Sequence, residues 1–257
     1  MLFFTGARRS RLKTQPFPSD WTRALERRTR FYALLSEPDR EELKGHIQVF
    51  LAEKNFEGRG GFLVTDEVRV AIAAHACLLL LHRESDYYPG LSSVIVYPGE
   101  FVVRQTDVDE AGIVTEGDDI RSGESWEQGC LVISWEDMLL AGKRGYEDYN
   151  VVIHECAHQL DTEEGITTGM PLLGRRKRLW ERVLEEEYER LQEDEAAGRP
   201  TVLDPYGAES PAEFFAVAVE CFFCAPKLLK EGCPDLYEGL AGYFHQDPAG
   251  WPGEREE

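Results

Sequence analysis

Apolar and polar positions change rhythm twice along the 257-residue chain. From about residue 17 to 85 the pattern is helical. "SDWTRALERRTRFYALL" opens on a Ser/Asp cap signal, and "SEPDREELKGHIQVFLAEK" carries Pro38 and acidic residues in its first turn. "DEVRVAIAAHACLLLLH" starts from Asp66 as a cap; its apolar stretch 70–82 is interrupted by His75 and too short to span a bilayer, so it predicts a buried helix and no membrane partner. "LSSVIVYPGEFVV" (91–103) is β-branched and aromatic and split at Pro98-Gly99, which predicts two strands or a strand and a bend. Residues 105–129 are acidic and Gly-rich, a loop or irregular hairpin, and "GCLVISWEDML" (129–139) reads as a strand running into a helical turn. Helices return over about 146–161 and 175–197, then from Ser210 and from about Pro234, with a break at "AGRP".

Helices, then strands, then helices predict an α+β fold in a single domain, 1–257. Its parts are a helical N-terminal region (17–85), a strand-rich region (86–140) with a small mixed or antiparallel sheet, and a metal-binding helical region (141–250). The strand "CLVISW" is the natural edge on which an extended peptide would align.

Composition narrows the function classes. A formal net charge of −20 repels phosphate backbones and argues against direct nucleic-acid binding. The basic clusters "ARRSRLK" and "GRRKR" are short, flanked by acids, and read as solvated surface. "MLFF" is too short for a secretory apolar region, and six scattered cysteines do not make a disulfide scaffold, so the expected location is the cytoplasm. The C-x-x-C of Cys221 and Cys224 lacks a second pair for structural zinc and reads as two core cysteines one helical turn apart. Asp107, Asp109, Gly112 and Val114 only partly mimic a calcium loop: Ala111 and Asp118 stand at two of its other positions, and flanking helices are missing.

The chemistry sits in "NVVIHECAHQLD", 150–161. On a helix, His154 and His158 stand one turn apart on one face and can aim both imidazoles at a single ion. Glu155 lies round the helix from His154, within reach of a metal-activated water without ligating the ion. It can take the proton as the carbonyl is attacked and pass it to the leaving amine. The other reading, a buried helix whose histidines bond to neighbours, needs many polar partners. The third-histidine spacing of one zinc-peptidase group is not met, because Asp161 and Glu164 occupy those positions. A glutamate on a later helix is the other usual solution, and "SPAEFF" offers Glu213. Glu213 also completes a capping box with Ser210, but that role would leave the two histidines without a third partner; the ligand reading is preferred.

Four motifs in order, "VIVYPGEFVV", "SGESWEQGCLVISWEDML", "NVVIHECAHQLD" and the segment from Tyr206 through "AEFFAV", resemble the Mlc titration factor A family of zinc peptidases. The resemblance runs from about Phe17 to Asp247, and the last motif is also similar to the catalytic domain of anthrax lethal factor. It implies a gluzincin-type peptidase with a zincin-like helical core, one Zn2+ per chain on His154, His158 and Glu213, and Glu155 as general base. Tyr206 matches a tyrosine of both relatives, and its phenol could donate to the developing oxyanion; the alternative is a packed tyrosine in a turn. Asp161 and Glu220 each follow a ligand by seven residues, so each either orients a ligand or is an ordinary helix acid. Cys156 stands where the relatives have an aromatic; facing away from the ion it packs, and facing it, it would be a rival ligand. The leading reading is a zinc-dependent peptidase, aminopeptidase-like on short peptides or chain termini. The alternative, also implied by the resemblance, is a regulatory protein that sequesters a transcriptional repressor, with zinc structural or regulatory.

Overall fold

The structure, a computed structural model, describes residues 2–99, 101–108, 114–121, 123–126, 129–140, 149–162 and 177–252. Helices α1 (Leu2–Lys13), α2 (Ser19–Arg28), α3 (Arg30–Leu34) and α4 (Glu37–Glu53) lead to strand β1 (Asn55–Gly58) and helix α5 (Asp66–Leu78). Strands β2 (Ser93–Tyr97), β3 (Phe101–Val108), β4 (Val114–Arg121), β5 (Gly123–Trp126) and β6 (Cys130–Ser134) follow, and β6 runs straight into α6 (Trp135–Met138). Helices α7 (Val151–Thr162), α8 (Lys177–Ala196), α9 (Pro211–Cys224), α10 (Pro226–Gly232) and α11 (Pro234–Phe244) make the C-terminal part. The class is α+β, as the order of patterns predicts.

One sheet has the order β1-β2-β6-β5, with β1, β2 and β6 parallel and β5 antiparallel to β6. It is therefore mixed. Leu131, Val132 and Ile133 of β6 are all buried, as expected of a strand covered on both faces. Gly129 fixes its entry: φ is 78°, and a Cβ there would stand 2.6 Å from the Gly90 carbonyl oxygen. Its own carbonyl accepts from the Ser92 and Ser93 amides at 2.8 and 3.2 Å, which sets the register of β6 on β2. The expectation that "CLVISW" forms an open edge is overturned, because β2 and β5 flank β6 and leave β1 and β5 outermost. β3 and β4 form a separate antiparallel hairpin. Asp107 lies opposite Thr115 there, so the calcium-loop likeness falls on paired strands around residues 109–113, which lie outside the described set.

Several local details depart from the expected pattern. β1 interrupts the N-terminal helices, pairing Asn55–Gly58 with Ser93–Val96. Thr65, not Asp66, caps α5, its hydroxyl accepting the Val68 amide at 3.4 Å. Asp66 is the first helical residue instead, where the helix dipole favours a carboxylate. Pro18 likewise takes the cap position of α2, ahead of Ser19. Nor is "ARRSRLK" merely solvated. Arg9 of α1 forks onto Glu53 at 2.9 and 3.0 Å, reaches Asp86 at 2.8 Å, and lies over the Tyr87 ring at 4.8 Å. The start of "GRRKR" lies outside the described residues.

The core joins these parts. Val70 through Ala74 of α5 are fully buried, and α5 packs on α4 and α7. Phe214, Phe215, Val219 and Phe222 bury α9, which packs along α7. Helices α7 and α9 therefore face each other across the polar residues that α7 carries.

Candidate metal centre

Asn150 starts α7 by accepting the Ile153 amide on its Oδ1 at 3.1 Å, so the helix begins later than its apolar pattern suggests. From that start, His154 and His158 point the same way, with ring centroids 4.8 Å apart. Ser210 caps α9, its hydroxyl accepting the Glu213 amide at 3.1 Å, and Pro211 occupies the first turn. Only this half of the capping box is used for capping. The Glu213 carboxylate turns to the histidines, with Oε2 at 3.0 Å from His154 Nε2 and 3.3 Å from His158 Nε2. The two Nε2 atoms are 3.1 Å apart.

Three donor atoms thus form a triangle with edges of 3.0, 3.1 and 3.3 Å. Tetrahedral coordination at 2.0–2.1 Å places ligands about 3.3 Å apart. Three lone-pair donors this close repel one another unless a cation or a proton lies between them. The residues fit a four-coordinate ion held by nitrogen and oxygen.

A buried carboxylate stands behind the triangle. Glu220 Oε2 lies 2.8 Å from His154 Nδ1, and its Oε1 accepts the Asn150 amide at 2.7 Å. A proton on Nδ1 leaves the Nε2 lone pair facing the triangle. This acid, readable in the sequence either as an orienting group or as an ordinary helix acid, sits at the histidine. The electrostatics agree. Burial opposes charge on His154, yet Glu220 and Glu213 hold its pKa well above the ordinary histidine value. Burial likewise opposes ionisation of Glu213, yet hydrogen bonds from both histidines push it down to about 2. The cluster between α7 and α9 favours positive charge on His154.

The other expected residues fall out as follows. Glu155 is buried beside the histidines, and burial raises its pKa against their opposing pull. Tyr206 lies on a 3-10 turn, Pro205–Ala208, with its ring 6.1 Å from that of His154 and 47% of its surface exposed. Asp204 holds the turn through the Tyr206 amide at 2.8 Å, while Tyr188 and Gln192 of α8 both donate to the Ala208 carbonyl at 3.2 Å. Asp161 is buried in the last turn of α7. Cys156 is fully buried, is absent from the donor cluster, and has its thiol pKa raised by burial. None of the six cysteines is in a disulfide.

Two things escaped the sequence. Asn150 and His75 make an amide–imidazole contact at 2.6 Å, joining α5 to the start of α7. A second cluster gathers Asp39 and Glu42, near the N-terminal end of α4, with His82. There His82 Nε2 is 3.1 Å from Asp39 and Nδ1 is 3.3 Å from Glu42.

The fold and the donor cluster together define a candidate metal centre built on H-E-x-x-H and a later glutamate. The chain belongs to the glucose-regulated metallo-peptidase M90 family, which it matches over residues 4–245. It is similar to an uncharacterized protein of Synechocystis, 41% identical over 94% of this chain and 89% of that one. It is also similar to Mlc titration factor A of Pectobacterium atrosepticum, 36% identical over 84% of this chain and 82% of that one. Mlc titration factor A of Yersinia pestis is 32% identical, with 84% and 81% covered. The family match takes in every element that builds the site. Among the described residues no helix is long and apolar enough to cross a membrane.

Proposed function

We propose that the protein is a zinc-dependent peptidase of aminopeptidase-like action on short peptides or chain termini. His154, His158 and Glu213 would hold one Zn2+ per chain. The observation that carries the reading is the donor triangle with edges of 3.0–3.3 Å, set beside a buried glutamate. Bound there, zinc would supply Lewis acidity toward water and a peptide carbonyl. Glu155, whose burial raises its affinity for a proton, accepts the proton of the attacking water and returns it to the departing amine. Tyr206 donates its phenol to the carbonyl oxygen as negative charge develops there. Glu220 holds His154 with Nε2 free to ligate. Six cysteines with no disulfide among them support a cytoplasmic location.

Glu155→Gln keeps the shape and removes the base. The expected result is a loss of peptide hydrolysis by about 10²–10⁴-fold with zinc content unchanged. Full hydrolysis by that variant would overturn the role of Glu155.

A second reading rests on the name of two relatives. Proteins called Mlc titration factor A share 32–36% identity with this chain, which favours a regulatory role in which it binds a transcriptional repressor. Repressor binding that persists in Glu155→Gln separates this role from catalysis, and absence of binding in both proteins removes it.

A further inference from the structure

The hydrogen bonds behind Glu220 continue one layer further than the metal-centre reading requires. Glu220 presents two carboxylate oxygens in a buried position, and each needs a donor. Oε2 faces His154 Nδ1 at 2.8 Å, and Oε1 accepts the backbone amide of Asn150 at 2.7 Å. The place of that amide is set by the Asn150 side chain. Its Oδ1 must accept, because its partner is the Ile153 N–H at 3.1 Å. The amide nitrogen therefore faces His75, and Nδ2 donates to Nδ1 at 2.6 Å. This orientation leaves His75 no choice of tautomer: Nδ1 carries the lone pair and Nε2 the proton. His75 is itself fixed by burial and by Phe31, whose ring meets it edge-on at 5.1 Å. Burial pushes its pKa down to about 4, which keeps Nδ1 an acceptor at neutral pH.

We infer that Asn150, seated against His75, is a positioning residue for the metal centre: it places the donor that orients Glu220, and through Glu220 the ligating face of His154. The inference rests on the metal-centre reading and deepens it. One side chain thereby sets three helices relative to one another. It starts α7, reaches back to α5, and brings its own amide against a carboxylate of α9. A helix cap alone needs only the Ile153 contact, so the His75 and Glu220 contacts are what distinguish positioning from capping.

The test compares zinc affinity of the full-length protein, by competition against a chromophoric chelator, with the visible spectrum of the cobalt(II)-loaded protein. Asn150→Ser keeps a cap oxygen and removes the amide that reaches His75. Its expected zinc affinity is about 10-fold weaker than wild type, with a changed cobalt spectrum, because outer partners of ligating histidines typically carry 10–100-fold effects. His75→Leu, which removes the acceptor, behaves the same way, and His75→Gln, which restores a carbonyl acceptor, recovers most of the loss. Wild-type affinity and spectrum in both Asn150→Ser and His75→Leu would overturn the inference and leave Asn150 a helix cap. Equal loss in all three variants, without rescue by glutamine, would also overturn it, since general loosening of α7 would then explain the effect. A wild-type protein that takes up no metal would overturn the metal-centre reading first, and this inference with it; the wild-type titration separates that failure from the others.

Discussion

Two clusters in this molecule bring histidine and carboxylate within hydrogen-bonding distance, and they are built differently. Between α7 and α9, His154, His158 and Glu213 turn three donor atoms toward one point, with side chains 13–22% exposed and Glu220 at 8% behind them. At α4, the His82 ring lies between two carboxylates, Nε2 on Asp39 and Nδ1 on Glu42, with side chains 22–38% exposed. Glu42 is further occupied by His46 Nε2 at 3.3 Å and by the His82 amide at 3.0 Å. The first arrangement leaves a shared focus for a cation. In the second, the carboxylates are also engaged by Ser36, His46 and a backbone amide. Both combine histidine with carboxylate, two histidines and a glutamate in the first and one histidine, an aspartate and a glutamate in the second. Direction separates a candidate site from a partly exposed cluster.

The largest expected effect puts that difference at risk. Elemental analysis of purified protein should find about one zinc per wild-type chain and near none in His154→Ala or Glu213→Ala, while His82→Ala stays at the wild-type content. A drop in His82→Ala would make the two clusters equivalent and remove the distinction. Zinc retained by Glu213→Ala would return that residue to its helix cap. Next in size is Tyr206→Phe. Peptide hydrolysis should fall about 10²-fold in kcat with little change in KM, as for loss of one oxyanion donor. Equal rates for the two proteins would leave Tyr206 a packed turn residue.

The smallest effect belongs to the α4 cluster. Hydrogen bonding from His46 prevails over burial to push Glu42 down to about 2. A depressed carboxylate pKa contributes stability above its ordinary value near 4.5 and loses it as pH falls toward 2. Because Glu42 is a third exposed, the contribution is about 1 kcal/mol or less. Glu42→Gln should therefore unfold slightly more easily than wild type at pH 7, with the gap closing below pH 4.5. A gap that widens in acid would show that the pair is not held by the ionised carboxylate.

What the sequence could reveal follows the same distinction between local and distant geometry. The spacing of His154 and His158 and the order Ser210, Pro211, Glu213 are local, so helix periodicity and cap chemistry made them readable. The α+β class was equally legible in the succession of patterns. The interior place of β6 was not, because an edge is defined by pairing order, and its cover, "GESW", carries no apolar run. β1 is four residues long, too short to display alternation, and exists through its pairing with β2. Helix α1 is held by Arg9 reaching 44 and 77 residues ahead to Glu53 and Asp86. The Asn150–His75 contact spans 75 residues, and nothing in either segment announces the other.

The separation of the site's two halves along the chain has a consequence for synthesis. Glu213 and Glu220 lie 59 and 66 residues beyond His154. A nascent chain displays its histidine pair long before the carboxylates that complete and orient it have been translated. On the proposed reading, hydrolytic competence arrives only when α9 has been made and folds onto α7. On that reading, a growing chain would be protected from its own chemistry by the order in which its residues are made.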